Sequence, residues 1–371
     1  MAKDPLKTKL TDMIGIEYPI VAFTPTREVV VEVINAGGLG VLAGAPLQPD
    51  QIADSIHWIR ERVNGKPFAI DLLLPASAPP QGSIKELKAK IPEEHKRFVQ
   101  EMKERYKIPD PKNPPDFYNL GWINQDTARR QLDVVLEERV PVLAFGLGSP
   151  SFILEAAHER GIKVFGLVGK PRQAVREIEA GVDLIIAQGT DAAGHTGAIG
   201  TFSIVPEVVA IAGDTPVVAA GGVTTGQHLA AALCLGAAGV WTGTLWLATD
   251  ESDRDPIIKQ KLVDAGADDT TLSRCISGFT MRVLKSQWTK DWESDDAPDP
   301  LPAPYQLLLA AELHQAAKDY RIESFMVEAA GQGVGAVKSV RPAAQIVRDL
   351  VDEARATFEA VAGGSPVSAS P

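Results

Sequence analysis

Short runs of β-branched and apolar residues alternate along this chain with longer stretches whose apolar positions recur at helical spacing. Runs rich in Val, Ile and Leu bounded by Gly or Pro read as strands, and three-and-four-spaced stretches read as amphipathic helices. Strands are expected at Tyr18 to Phe23, Leu39 to Ala43, Phe68 to Leu74, Pro141 to Phe145, Lys163 to Leu167, Asp183 to Ala187, Pro216 to Ala220 and Gly239 to Thr242. Helices are expected at Thr26 to Asn35, Pro49 to Val63, Asp126 to Glu138, Ser151 to Arg160, Pro171 to Ala180 and Thr225 to Leu235. Strands separated by helices of this length pair in parallel through right-handed crossovers. Eight such units imply an α/β fold, a closed (β/α)8 TIM barrel.

Glycines at Ala180-Gly181-Val182-Asp183 and Leu235-Gly236-Ala237 mark helix C-termini and support the same rhythm. Two segments break it. Residues 76–124, after the third strand, are rich in proline and charge, but Ser83 to Tyr106 carries helix-forming Lys, Glu and Ala, which predicts a helical insertion. Residues 250–340 form an appendage of loops and helices, with a helical run at Tyr305 to Lys318 and a Pro/Asp loop at Asp295 to Pro304. The expected organisation is a barrel over 8–249, this appendage, a final helix over 341–362 packing back on the barrel, and a mobile tail at 363–371.

The 371 residues carry a formal charge of −11, which leaves no basic footprint for nucleic acid or an anionic membrane surface. Small molecules are the expected partners. Cys234 and Cys275 form no C-x-x-C pair, so a disulfide framework, a zinc ribbon and a thioredoxin-type site all fall away. His57, His95, His158, His228 and His314 show no metal-ligating spacing, and no metal is expected. Lys3, Asp4, Lys7 and Lys9 precede no apolar run of the secretory kind, and the apolar stretch Val217 to Trp241 is broken by Gln227, His228 and glycines. A cytoplasmic protein is expected, with a homo-oligomer left open.

The chemistry concentrates at strand ends. After the sixth strand comes Gln188-Gly189-Thr190-Asp191-Ala192-Ala193-Gly194-His195-Thr196-Gly197, with glycines packed around one histidine and one glutamine. Glycine permits sharp turns and close backbone approach, and histidine titrates near neutrality, at about 6.5 when unperturbed. Asp191 caps the following turn or helps orient His195. The seventh strand ends in Ala220-Gly221-Gly222-Val223 with Thr224 and Thr225 opening the next helix, and the eighth in Trp241-Thr242-Gly243-Thr244. In a TIM barrel these two loops commonly hold phosphate, through exposed N–H groups, a helix N-terminus and hydroxyls. Gly331-Gln332-Gly333-Val334-Gly335 lacks the preceding strand of a dinucleotide fingerprint and reads as a plain turn or a loop closing over a cofactor edge. Phe117, Tyr118 and Trp122 form a pocket wall or pack the insertion.

Taken in order, QGTDAAGHTG, PVVAAGGV and WTGT, with Asn35-Ala36-Gly37-Gly38-Leu39-Gly40-Val41-Leu42 near the start, resemble the nitronate monooxygenase family of FMN-dependent barrels, formerly called 2-nitropropane dioxygenases. The resemblance covers most of Thr8 to Thr249. It implies FMN bound without a covalent link, its phosphate on Gly221, Gly222, Gly243 and Thr244, with Trp241 and Thr242 beside them. Gln188, Ala193 and Gly194 would lie along the isoalloxazine or ribityl chain, and Ala22, Phe23, Thr24 and Asp71 would complete the flavin site. His195 would face the substrate, hydrogen-bonding a nitro group or removing a carbon-bound proton. The implied reaction oxidises an alkyl nitronate with oxygen to a carbonyl compound and nitrite.

The chain departs from the family pattern at Ala22-Phe23-Thr24 in place of Ala-Pro-Met, Asp71 in place of an asparagine, Ala193-Gly194 in place of Gly-Gly, and in the insertion. Asp71 can donate to a flavin only if it is protonated. Two other functions stay open: an NAD(P)H-dependent flavin reductase acting on an enoyl or related thioester, as in the flavin-containing enoyl-acyl-carrier-protein reductases, and a flavin-binding barrel without turnover.

Overall fold

The computed structural model describes residues 4–74, 84–115, 125–146, 148 and 153–364. Phe117, Tyr118, Trp122 and the tail from 365 lie outside them. Among the described residues, eleven strands run in chain order: β1 (Ile20–Thr24), β2 (Leu39–Ala43), β3 (Ala69–Leu73), β4 (Val142–Gly146), β5 (Lys163–Val168), β6 (Leu184–Gln188), β7 (Gly194–His195), β8 (Val217–Ala220), β9 (Gly239–Thr242), β10 (Thr270–Ser273) and β11 (Met281–Leu284). All but β7, β10 and β11 close into one parallel barrel in the order β1-β2-β3-β4-β5-β6-β8-β9, shut by Val21 pairing with Trp241. This is the (β/α)8 TIM barrel expected from the sequence.

Side chains alternate across each barrel strand. Val21, Val41, Ala69, Val142, Phe165, Ile186 and Val218 fill the interior. Ile20, Ala22, Leu42, Ile70, Leu143, Ile185 and Val240 face the surrounding helices. Each aliphatic side chain buried this way contributes about 1.5–3 kcal/mol. Local signals place the helices well: Pro171 opens the helix Pro171–Ala180, and Gly181, at φ 96°, closes it and delivers the chain to β6.

A helix at Thr201–Ile211, between β6 and β8, is absent from the pattern reading because Pro206 stands inside it. Proline removes one backbone bond from the middle of the helix. The helix persists because Ile204, Val205 and Val208 are fully buried against the barrel.

The insertion forms two helices, Ile84–Ala89 and Glu93–Arg105, and it packs on the appendage. Leu87 and Ile91 meet Leu308, while Val99 and Met102 join Trp288, Trp292 and Leu313. The appendage contains strand as well as the expected helix: β10 and β11 form a hairpin, and β11 adds β7 to its other edge, pairing Met281 with His195. These short strands, interrupted by charge at Arg282, carry too little alternation to read from sequence. The run at Tyr305–Asp319 is helical as expected, and the last helix, Ala343–Ala362, returns to pack on the helix Gly226–Cys234. Among the described residues, no helix is long and apolar enough to cross a membrane.

Candidate active site

A cavity of about 810 Å³ opens at the C-terminal ends of the barrel strands and is roofed by the appendage. That size suits a cofactor and a small substrate together. Small residues at the ends of β2, β4 and β8, namely Ala43, Gly146 and Ala220, leave its floor wide. Phe23 and Trp241 line it as well and stack, with ring centroids 5.8 Å apart and planes 25° from parallel.

The cavity gathers Asp71, Gln188, Ala193, Gly194, His195, Gly221, Gly222, Thr242, Gly243 and Thr244 beside those two aromatic residues. Ala22 and Thr24 are not among its lining. Ala22 points into the layer under the outer helices, and the fully buried Thr24 uses its hydroxyl to accept the Thr26 N–H at 3.2 Å. The alternation of β1 lets Phe23 face inward and turns both neighbours away. Thr242 reaches the cavity, but its hydroxyl donates to the Val21 carbonyl and accepts from Trp246 Nε1, both at 3.0 Å, so it serves barrel closure.

The two glycine turns differ in what they need. At Gly221, φ 104°, a Cβ would stand 2.8 Å from Thr201 Oγ1 and 2.9 Å from the Ala192 nitrogen, so close packing requires glycine there. Gly222, at φ 71°, adopts a left-handed conformation. Beside it Thr224 lines the cavity with its hydroxyl buried and without a hydrogen-bond partner among the described residues. A buried hydroxyl of this kind is costly unless a ligand completes it. Gly243 has open space where a Cβ would stand, with only Phe23 near, at 3.9 Å. Thr244 Oγ1 accepts the Gly331 N–H at 3.0 Å and keeps its own proton to donate. The donor set fits a phosphate monoester.

The expected helix-dipole contribution is already taken. Glu353 Oε2, from the final helix, accepts the Gly226 N–H at 2.7 Å, and Thr225 Oγ1 accepts the His228 N–H at 3.3 Å. The start of the helix Gly226–Cys234 therefore faces a carboxylate of the protein itself.

Gly331 and Gly333 line the cavity too, within a 3-10 turn at Gln332–Ala336. A Cβ on Gly333 would meet Thr224 Cγ2 at 2.6 Å and the Gly222 carbonyl at 2.9 Å. This turn clasps the loop of Gly222 and Thr224 from outside. Asp191 is a helix cap: its Oδ2 accepts the Thr201 N–H at 2.7 Å.

His195 is held from the appendage. Its Nε2 lies 2.8 Å from Ser277 Oγ, and Phe279 meets its ring edge-on at 5.5 Å and 82°. Arg282 Nε donates to the Thr190 carbonyl at 2.9 Å and pins the same loop. Burial pushes the imidazole pKa down to about 4, so the ring is neutral at pH 7. Burial alone pushes the Asp71 carboxyl up to about 8, so near neutrality it is protonated and able to donate. Ser277 and Arg282 were not assigned to a site from sequence, and Gly331 and Gly333 belong to the run read as a plain turn or a loop closing over a cofactor edge. Ser277 lies 82 positions from His195 with no motif joining them.

The sequence profile described as nitronate monooxygenase matches residues 7–353. The chain belongs to the nitronate monooxygenase family. It is therefore an oxidoreductase of a generally flavin-dependent family. It is 39% identical to the putative monooxygenase Rv1533 of Mycobacterium tuberculosis over 94% of this chain and 96% of that one. The nitroalkane oxidase structure from Streptomyces ansochromogenes superposes with a TM-score of 0.79 at 28% identity, covering 95% and 99% of the two chains. FabK from Thermotoga maritima superposes with a TM-score of 0.72, also at 28% identity, covering 96% and 99%.

Proposed function

We propose that this member of the nitronate monooxygenase family oxidises alkyl nitronates with oxygen, giving a carbonyl compound and nitrite, with FMN held noncovalently at the barrel mouth. The observation that carries this reading is the opening onto one cavity of His195, both glycine turns and the unpartnered Thr224 hydroxyl. FMN, when bound, supplies the electron exchange between an organic anion and oxygen.

The chain's own residues bind, orient and exclude water. Gly221, Gly222, Gly243, Thr224 and Thr244 hold the phosphate. Gln188, at the end of β6, and protonated Asp71, in the middle of β3, offer neutral hydrogen bonds across the floor, so Asp71 places no negative charge there at neutral pH. His195, neutral and half-buried, hydrogen-bonds the anionic nitro oxygens. Leu167, Ile276 and Met281 keep water from the reacting carbon.

Anaerobic mixing tests the reading against its rival. Bleaching of the bound flavin by an alkyl nitronate, and not by NADPH, supports the oxygenase. Rapid bleaching by NADPH transfers the protein to the flavin reductases acting on enoyl thioesters, and a yellow protein inert to both donors makes it a flavin carrier.

A further inference from the structure

We propose that Ser277 is a positioning residue that fixes His195 in a single tautomer, with the proton on Nδ1, by donating its hydroxyl to Nε2. This rests on the reading of His195 as the side chain that meets substrate. Hydrogen-bond accounting around one oxygen supports it. Among the described residues, Ser277 Oγ has three hydrogen-bonding neighbours: His195 Nε2 at 2.8 Å, the Phe279 N–H, which donates to it at 3.3 Å, and the Phe279 carbonyl at 3.4 Å. A hydroxyl carries one proton, and good O–H donors lie within about 3.0 Å of their acceptors. Only Nε2 meets that limit, which makes it the hydroxyl's best-placed acceptor, and an accepting Nε2 carries no hydrogen.

The geometry around the pair leaves Ser277 little freedom. It is 3% exposed, it precedes Gly278 at φ 86°, and a Cβ on Gly278 would stand 2.3 Å from the Ala303 nitrogen, so the turn is locked against the Leu301–Ala303 segment. On the other side β7 pairs with β11, and the Thr196 N–H donates to the Thr280 carbonyl at 3.3 Å. The histidine on β7 and the serine in the loop that joins β10 to β11 are thus fixed against one small sheet. The consequence is chemical. With Nε2 occupied by a donor and the ring neutral, His195 meets substrate as an N–H donor suited to an anion already formed, and not as a base for a neutral nitroalkane.

Nitrogen-15 NMR of the histidine-labelled protein as purified, with His195 assigned from the resonance lost in His195→Gln, reads the tautomer directly. The proposal expects a pyridine-like Nε2 and a pyrrole-like Nδ1, loss of that preference in Ser277→Ala and its return in Ser277→Thr. On an alkyl nitronate, kcat of Ser277→Ala should fall at least about tenfold with a smaller change in KM, and Ser277→Thr should recover. A protonated Nε2 in the unmodified protein, an unchanged tautomer in Ser277→Ala, or an unchanged kcat in that variant overturns it. If the tautomer results hold while His195→Gln turns over nitronate normally, the tautomer assignment stands and the functional reading of His195 fails.

Discussion

The backbone N–H of Gly226 donates to Glu353 at 2.7 Å, and a Cβ on that glycine would lie 2.3 Å from Glu353 Cβ and 2.4 Å from the Ala354 nitrogen. The final helix is thus seated on the start of the helix that follows the glycine turn. Gly226→Ala should force the two helices apart and cost about 1–3 kcal/mol. Glu353→Gln should cost less than about 1 kcal/mol, by weakening a charge-assisted bond at a helix N-terminus. Thermal unfolding of both variants checks the order, and equal losses would contradict the close-packing argument.

Thr224→Val removes a hydroxyl that no group among the described residues satisfies. Folding stability should be unchanged or slightly higher, because a buried orphan is lost. Affinity for FMN should fall about ten- to a hundredfold, the worth of a hydrogen bond to a charged group. Titration of flavin-stripped protein with FMN measures this, and undiminished affinity would remove Thr224 from the phosphate site.

Asp71 should make the flavin-free protein less stable as pH rises. Its carboxyl titrates at about 8 when folded against an ordinary value of 3.8. Between those values the folded state holds a proton that the unfolded chain has released. Its contribution is full below about 4, declines by up to about 1.4 kcal/mol per pH unit, and is gone above about 8. Urea midpoints across this range should slope downward for the native sequence and flatten in Asp71→Asn, whereas parallel slopes would place the carboxyl in water.

His195 has the opposite sign. Its folded pKa of about 4 lies below the ordinary 6.5, so its stabilising contribution is present above about 6.5 and is lost as pH falls toward 4. His314, also lowered to about 4 by burial, adds to the same acid loss. Acid unfolding of His195→Gln should therefore begin at lower pH, while its turnover of nitronate falls by about a hundredfold or more with FMN retained. Loss of flavin from that variant would make the histidine a cofactor ligand.

The barrel was legible because its signals are local. Pro171 opens a helix, Gly181 closes it, and Leu184, Ile185 and Ile186 then run buried on both faces of the sheet. The glycine turns at the cavity were legible for the same reason, since glycine runs after the last strands carry their own conformational demand. The side chains of Ala22 and Thr24 turn away from the cavity, which sequence does not announce, because it gives a strand without saying which of its alternating faces points inward. Ser277 and Arg282 were invisible for a different reason: their partners, His195 and Thr190, lie more than eighty positions away and meet them through a two-residue strand no periodicity can announce. Asp71 was legible as an oddity, while its protonation depends on burial that only the assembled barrel supplies.

The pairing of β7 with β11 also bears on any attempt to trim the protein. Cut after Thr249, the wheel of eight strands would keep its own hydrogen-bond circuit, yet His195 would lose its serine brace, and the turn clasping Gly222 would vanish with it. Reactivity in this chain is assembled last, by a segment synthesised after the scaffold it completes.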